Sequence, residues 1–315
     1  MNGYRGRIAP SPSGLLHLGH ARTFFTAFTR AQRAAGTLIL RNEDLDPQRS
    51  KSQYALAMLE DLHWLGIHWQ EGPDVGGTFG PYSQSQRYEL YLGVWRSLLE
   101  RGFLYPCTCS RRELAGIASA PHENGTPGAP LLPDASKSGM LRFESDQGPM
   151  YPGACRSKLT PDLPRQYSTP AGVNWRFRVP DGEAVTFDDG RFGPQRFVAG
   201  EDFGDFPVWR RDDVPAYQLA VVADDHAMHI TEVVRGADLL LSTARQILLY
   251  RALGWPEPAW YHCPLVVDER GERLAKRHDA LAIRTLRTQG KTPEEVRAEW
   301  GLSPGSRLRD SQNGT

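Results

Sequence analysis

Two histidines three residues apart, His17 and His20, stand in the stretch RIAPSPSGLLHLGHARTFF, with prolines and glycines on either side. Three chemistries use such a set: a zinc pair, two packed core histidines, or a phosphate cradle at the start of a helix. H-x-x-H without further ligands nearby suits zinc poorly. A glycine-containing turn leading into a helix leaves free N–H groups and a positive dipole end, and both favour a bound phosphate. Imidazoles there can donate to a phosphoryl group in its transition state. Far along the chain, GERLAKRHDAL gathers Arg273, Lys276 and Arg277 in a stretch that reads as a loop before a helix. A lysine there suits the charge of a leaving pyrophosphate; a solvated basic turn is the ordinary alternative. A third cluster is Cys107 and Cys109 in YPCTCS with Tyr151 and Cys155 in YPGACR. Three thiolates plus one ligand make a tetrahedral zinc site, and three small buried apolar side chains are the alternative. Cys263 reads as core.

The elements that would position these groups follow from periodicity and punctuation. Apolar residues at Phe24, Phe28, Ala31 and Ala35 have helical spacing, and Gly36 reads as the stop. TLILR is a short buried strand with NEDLDPQR as the loop after it. A second helix opens at Ser50, and a third ends at Gly102. Helices alternating with strands predict an α/β fold with a parallel sheet. Residues 118–139, rich in Pro, Gly, Ser and Ala, read as a mobile loop. VNWRFRVPDGEAVTFDDGRFGPQRFV alternates and carries Asp-Gly turns, which predicts antiparallel strands. YQLAVVADDH reads as a buried strand, and the helix after it takes Ser242 as its cap. Thr292, Pro293 and Glu295 form a capping-box start, with Gly301 as the stop.

Bulk composition narrows the class. Lys+Arg and Asp+Glu are both 37, so overall charge does not advertise nucleic acid, although a local basic face would suffice. No run approaches the roughly 18 apolar residues of a membrane helix, and the N-terminus lacks a signal-peptide core. Four cysteines in 315 residues argue against a disulfide framework and point to a reducing, cytoplasmic compartment.

Taken together, PSPSGLLHLGH and RLAKR resemble the HIGH and KMSKS signatures of class I aminoacyl-tRNA synthetases. RIAPSPSG, RNEDLDPQR, GPYSQSQR and AYQLAVVADDHAMHITEVVRGADLLLSTARQ are similar, in order, to the catalytic half of glutamyl-tRNA synthetases. The resemblance implies a class I synthetase Rossmann-like, doubly wound parallel sheet with an inserted mixed α/β zinc-bearing subdomain and a short helical C-terminal part. Residues 1–104 and 201–262 would be the two halves of the catalytic domain, 105–200 the insert, and 263–315 the KMSKS-like loop and short C-terminal helical region. It further implies that His17, Gly19, His20 and Lys276 meet ATP, with His17, His20 and Lys276 catalytic. Arg7, Ser11, Glu43, Tyr217 and Arg235 would hold L-glutamate, Glu43 on the ammonium and Arg235 on the side-chain carboxylate. One structural Zn²⁺ on Cys107, Cys109, Tyr151 and Cys155, with His122 as the rival to Tyr151 for the fourth place, and Mg²⁺ with ATP, would be the metals. In RLAKR, Arg273 replaces the first lysine of the signature and Ala275 its serine.

The chain runs only to residue 315, which leaves room for one short helix beyond the basic loop and not for an anticodon-binding domain. In this it resembles the shortened paralogues, the glutamyl-queuosine tRNA(Asp) synthetases. That resemblance implies tRNA-independent glutamyl-adenylate formation and transfer to queuosine at the wobble position of tRNA(Asp), by a monomer without membrane contact. A shortened enzyme charging tRNA 3′ ends, or a tRNA-binding module without catalysis, are the alternatives.

Overall fold

A computed structural model describes residues 3–109, 150–265, 282–298 and 300. The loop at 118–139, His122, the RLAKR loop and Gly301 lie outside them.

The large sheet has the order β2-β1-β8-β9-β5-β6. Its strands are β1 (Arg5–Ile8), β2 (Thr37–Leu40), β5 (Ala184–Asp189), β6 (Gly193–Val198), β8 (Glu232–Gly236) and β9 (Ala259–Cys263). Pairing is parallel from β2 through β5, and β6 closes the edge as an antiparallel hairpin on β5. Consecutive residues of one strand enter different cores. Leu38 and Leu40 pack with α1 (Leu18–Arg33), whereas Ile39 packs with the cluster around Tyr91 and Trp95. Val233 and Val234 divide in the same way. A sheet buried on both faces is what a parallel arrangement requires. A second sheet, antiparallel in the order β3-β4-β7, is built from β3 (Leu104–Cys107), β4 (Asn174–Phe177) and β7 (Phe206–Trp209).

The remaining helices are α2 (Ser52–Trp64), α3 (Tyr88–Glu100), α4 (Tyr217–Ala227), α5 (Leu240–Leu253), α6 (Ile283–Thr288) and α7 (Pro293–Ala298), with a single helical turn at Leu163–Gln166. At the end of α1 the left-handed residue is Ala35 (φ 47°), and the Gly36 N–H donates to Ala31 O at 2.9 Å. Gly36 is needed for a different reason: a Cβ there would meet the Tyr4 carbonyl oxygen and lie 2.7 Å from Tyr4 Cβ. The capping box forms, with Thr292 N–H donating to Glu295 Oε2 (2.7 Å) and Glu295 N–H to Thr292 Oγ1 (3.2 Å).

Four expectations are corrected. Tyr217–Ala227 is a helix, not a strand. Leu219 to Asp225 are all buried, and a helix buried all round shows no amphipathic period. Ser242 does not cap α5; Leu239 stands at the N-cap, and Ser242 sits buried in the first turn, accepting from Gln218 Nε2 at 3.0 Å. Helix α2 begins after Lys51 rather than at Ser50. The β5–β6 hairpin, expected within the 105–200 segment, extends the large sheet instead.

Candidate active site and metal cluster

Strand β1 feeds through Pro10 and Pro12 into the head of α1. His17 is the N-cap residue, with extended backbone (φ −98°, ψ 158°) and no side-chain cap, and the first turn holds no acidic group. Gly19 and His20 follow inside that turn, where the leading N–H groups and positive dipole end of a helix favour an anion. His20 is exposed, its ring 6.4 Å from that of Phe24. Lys276 lies outside the described residues. The Ala282 backbone bridges His17, and Ile283 N–H donates to Leu16 O at 2.8 Å. The described residues that follow the basic segment in sequence are thereby tied to the histidine turn.

A cavity of about 840 Å³ opens between the two sheets, and Ser11, Ser13, Glu43 and Tyr217 line it. His17 and His20 are not on this lining. Glu43 stands just beyond β2, where the chain leaves the parallel sheet and α/β ligand sites collect. Burial pushes its carboxyl above the ordinary range, against the pull of Arg41 and Arg7. Arg41 Nη2 reaches Glu43 at 3.2 Å and Arg41 Nη1 reaches Asp225 at 2.6 Å. Arg7, 4% exposed, donates to Asp225 Oδ1 (3.3 Å) and Val234 O (3.0 Å). Arg235, also 4% exposed, donates to His262 Nε2 (3.2 Å), Gln246 Oε1 (2.8 Å) and Thr243 Oγ1 (2.6 Å). Neither guanidinium is on the cavity wall, but both act on the Tyr217 phenol, which burial holds above its usual range. Burial lowers Arg235 below the ordinary guanidinium range.

Motif spacing did not reveal Arg41, Asp224 and Asp225. Asp224 is fully buried and accepts from Arg87 Nε (2.7 Å), Gln84 Nε2 (2.8 Å) and Tyr91. The one signal was two consecutive acids inside an apolar run, VVADDH, which buried charges need partners to survive.

Cys107 ends β3 and Cys109 follows two residues on, so alternation sends both to one side. The structure brings Cys155 and Tyr151 to them. The three sulfurs lie within 4.8 Å of one another, with Cys109 Sγ 3.6 Å from Cys155 Sγ. The Tyr151 hydroxyl is 3.5 Å from Cys107 Sγ and 3.7 Å from Cys109 Sγ. Zinc with bonds of about 2.3 Å to sulfur sets tetrahedral ligands roughly 3.8 Å apart, so this donor set fits. Burial would raise the Cys155 thiol, but hydrogen bonds with Tyr151, the Thr108 backbone and Cys109, and the Lys158 charge, bring it to about 6. Arg176 donates to Cys107 Sγ at 3.4 Å and lies 3.8 Å over the Tyr151 ring, and burial together with the neighbouring thiols holds the Tyr151 phenol well above its ordinary range. Cys107, Thr108 and Cys109 also form part of the cavity wall. Cys263 is buried on β9.

Residues 4–302 match the family described as tRNA synthetases class I (E and Q), catalytic domain. A glutamyl-Q tRNA(Asp) synthetase of Symbiobacterium thermophilum is 50% identical over 292 residues, covering 92% of this chain and 83% of that protein. One from Nitratidesulfovibrio vulgaris is 47% identical over 91% of this chain and 82% of its own. Among solved structures, a glutamate-tRNA synthetase from Elizabethkingia anophelis superposes with a TM-score of 0.71 at 28% identity, over 92% of this chain. The chain spans about half of that longer protein, 54%. The chain therefore belongs to the class I tRNA synthetase family for E and Q, and within it to the glutamyl-Q tRNA(Asp) synthetases.

Proposed function

We propose that the protein activates L-glutamate with ATP as glutamyl-adenylate, without needing tRNA, and passes the glutamyl group to the queuosine base at the wobble position of tRNA(Asp). The observation that carries the amino-acid half is Arg235. This buried guanidinium has His262, Gln246, Thr243 and Tyr217 as hydrogen-bond partners, and none is a carboxylate. A substrate carboxylate entering beside it would compensate the buried charge with parallel N–H donors. Glu43 takes the substrate ammonium, and Arg7, Ser11 and Tyr217 complete the pocket.

The substrate α-carboxylate attacks the ATP α-phosphorus in line, and pyrophosphate leaves. His17, Gly19, His20 and the head of α1 hold the phosphates, and the histidines donate to the phosphorus oxygens as charge builds. Lys276 neutralises the departing pyrophosphate, and Mg²⁺ arriving with ATP supplies further charge neutralisation. No side-chain nucleophile is required, since positioning and electrostatics can carry the step. A hydroxyl of the queuosine cyclopentene ring then attacks the activated carbonyl, and AMP leaves. Cys107, Cys109, Tyr151 and Cys155 would hold one Zn²⁺ in a structural role. The chain acts as a monomer in the cytoplasm.

Glutamate-dependent ATP–pyrophosphate exchange without tRNA, followed by labelled glutamate with separated tRNA pools, tests this reading. Exchange should occur, and label should appear on tRNA(Asp) only when it carries queuosine. Label on tRNA(Glu) that survives removal of queuosine would transfer the assignment to 3′-end charging.

A further inference from the structure

Arg235 is held from behind by side chains that no motif singled out. It stands opposite His262 in the parallel β8–β9 register, so both side chains leave the same face of the sheet. His262 is fully buried, and its Nδ1 lies 2.6 Å from Asp189 Oδ2 at the end of β5. The His262 backbone N–H donates to the same oxygen at 3.0 Å, and the Arg191 and Phe192 N–H groups donate to Oδ1 at 3.0 and 2.9 Å. Burial opposes ionisation of Asp189, but its hydrogen bonds with His262 and these N–H groups outweigh it and hold the carboxyl below the ordinary range. An ionised carboxylate only accepts, so the proton between the two side chains sits on His262 Nδ1. Burial takes the imidazole down to about 4, so the ring is neutral and Nε2 presents a lone pair. That lone pair faces Arg235 Nε–H at 3.2 Å, and Thr243 Oγ1 at 3.0 Å.

We propose that Asp189 and His262 are positioning residues for glutamate recognition: Asp189 fixes the Nδ1–H tautomer, and His262 Nε2 then orients the Arg235 guanidinium for the substrate carboxylate. This rests on the reading of Arg235 as the carboxylate's partner. The opposite tautomer would set N–H against N–H, and a protonated ring would set cation against cation. The interposed ring also has an electrostatic purpose. An aspartate bonded directly to Arg235 would neutralise the charge meant for the substrate, whereas a neutral imidazole transmits orientation and leaves the charge available. Gln246 is aligned in the same manner. Its Nε2 donates to Gln218 Oε1 at 2.9 Å, which turns Oε1 towards Arg235.

Steady-state ATP–pyrophosphate exchange on the full chain tests this with four variants, Arg235→Ala, Asp189→Asn, His262→Phe and His262→Gln. Arg235→Ala calibrates the underlying reading: an unchanged glutamate KM would sink that reading itself. With that arm positive, Asp189→Asn and His262→Phe should raise the glutamate KM tenfold or more while the ATP KM and kcat stay within about threefold. His262→Gln keeps an acceptor near the Nε2 position and should stay within a few-fold of the parent. Glutamate KM unmoved by Asp189→Asn and His262→Phe, or glutamate and ATP failing together, overturns the proposal. Imidazole ¹⁵N NMR gives a second readout on the parent protein: the Nδ1–H tautomer is expected, and an Nε2–H tautomer refutes the relay whatever the kinetics show.

Discussion

At the scale of single residues, the site separates groups that hold ground-state charge from groups that meet developing charge. His20 is exposed in the first turn of α1, where, on the proposed mechanism, phosphorus oxygens gain charge only during reaction. His20→Ala should lower kcat at least tenfold with KM for ATP within a few-fold, in exchange assays; a pure KM defect would remove it from the transition state. His262 makes a pH prediction. Its ordinary pKa is near 6.5 and burial takes it to about 4 in the folded chain. Between those values the unfolded state binds more protons, so stability is present above about 6.5 and drains as pH falls towards 4. Urea midpoints measured down that range should fall, and the fall should be shallower in His262→Gln. Ser11, Glu43 and Tyr217 were singled out only through the family resemblance that their short motifs carry, and all three line one cavity. Asp189 and His262 were not, because their meaning comes from a contact across 73 positions of chain, and no local spacing encodes which strands become neighbours.

At the scale of elements, periodicity succeeded where an element has a wet face and failed where it has none. Helix α1 carries polar residues between its buried ones and was found from its spacing. Helix α4 is packed beneath the cavity and looked like a strand. Only its two acids betrayed a special setting, and their partners come from three distant places: Arg7 on β1, Arg41 just after β2 and Arg87 at the N-cap of α3. Gly36 was recognised as a glycine that matters, though for the wrong cause: Ala35 takes the left-handed turn, and Gly36 lets Tyr4 approach. Gly36→Ala should therefore destabilise the chain by roughly 1–3 kcal/mol through overpacking, read as a lowered denaturant midpoint. Ala35→Gly, which relieves a positive φ, should not destabilise it.

At the scale of the whole molecule, the cavity joins two sheets that the sequence reading kept apart. Its wall includes Cys107, Thr108 and Cys109 together with Glu43 and Tyr217, so on the proposed function the thiol cluster would shape the surface that meets the tRNA. Purified protein should carry about one equivalent of zinc by elemental analysis. Stripping it with a chelator should reduce glutamyl transfer to tRNA(Asp) severalfold more than it reduces pyrophosphate exchange; equal losses would make the metal a general fold determinant. The alternation of helices and strands predicted the parallel sheet, but not which segment would close its edge, because edge pairing depends on the order in which strands assemble in space. That edge strand has a practical meaning for anyone transplanting parts between relatives. Cutting out the whole stretch between the two catalytic halves as though it were a cassette would also carry off β5, and with Asp189 the anion that decides where an imidazole in the remaining scaffold keeps its hydrogen.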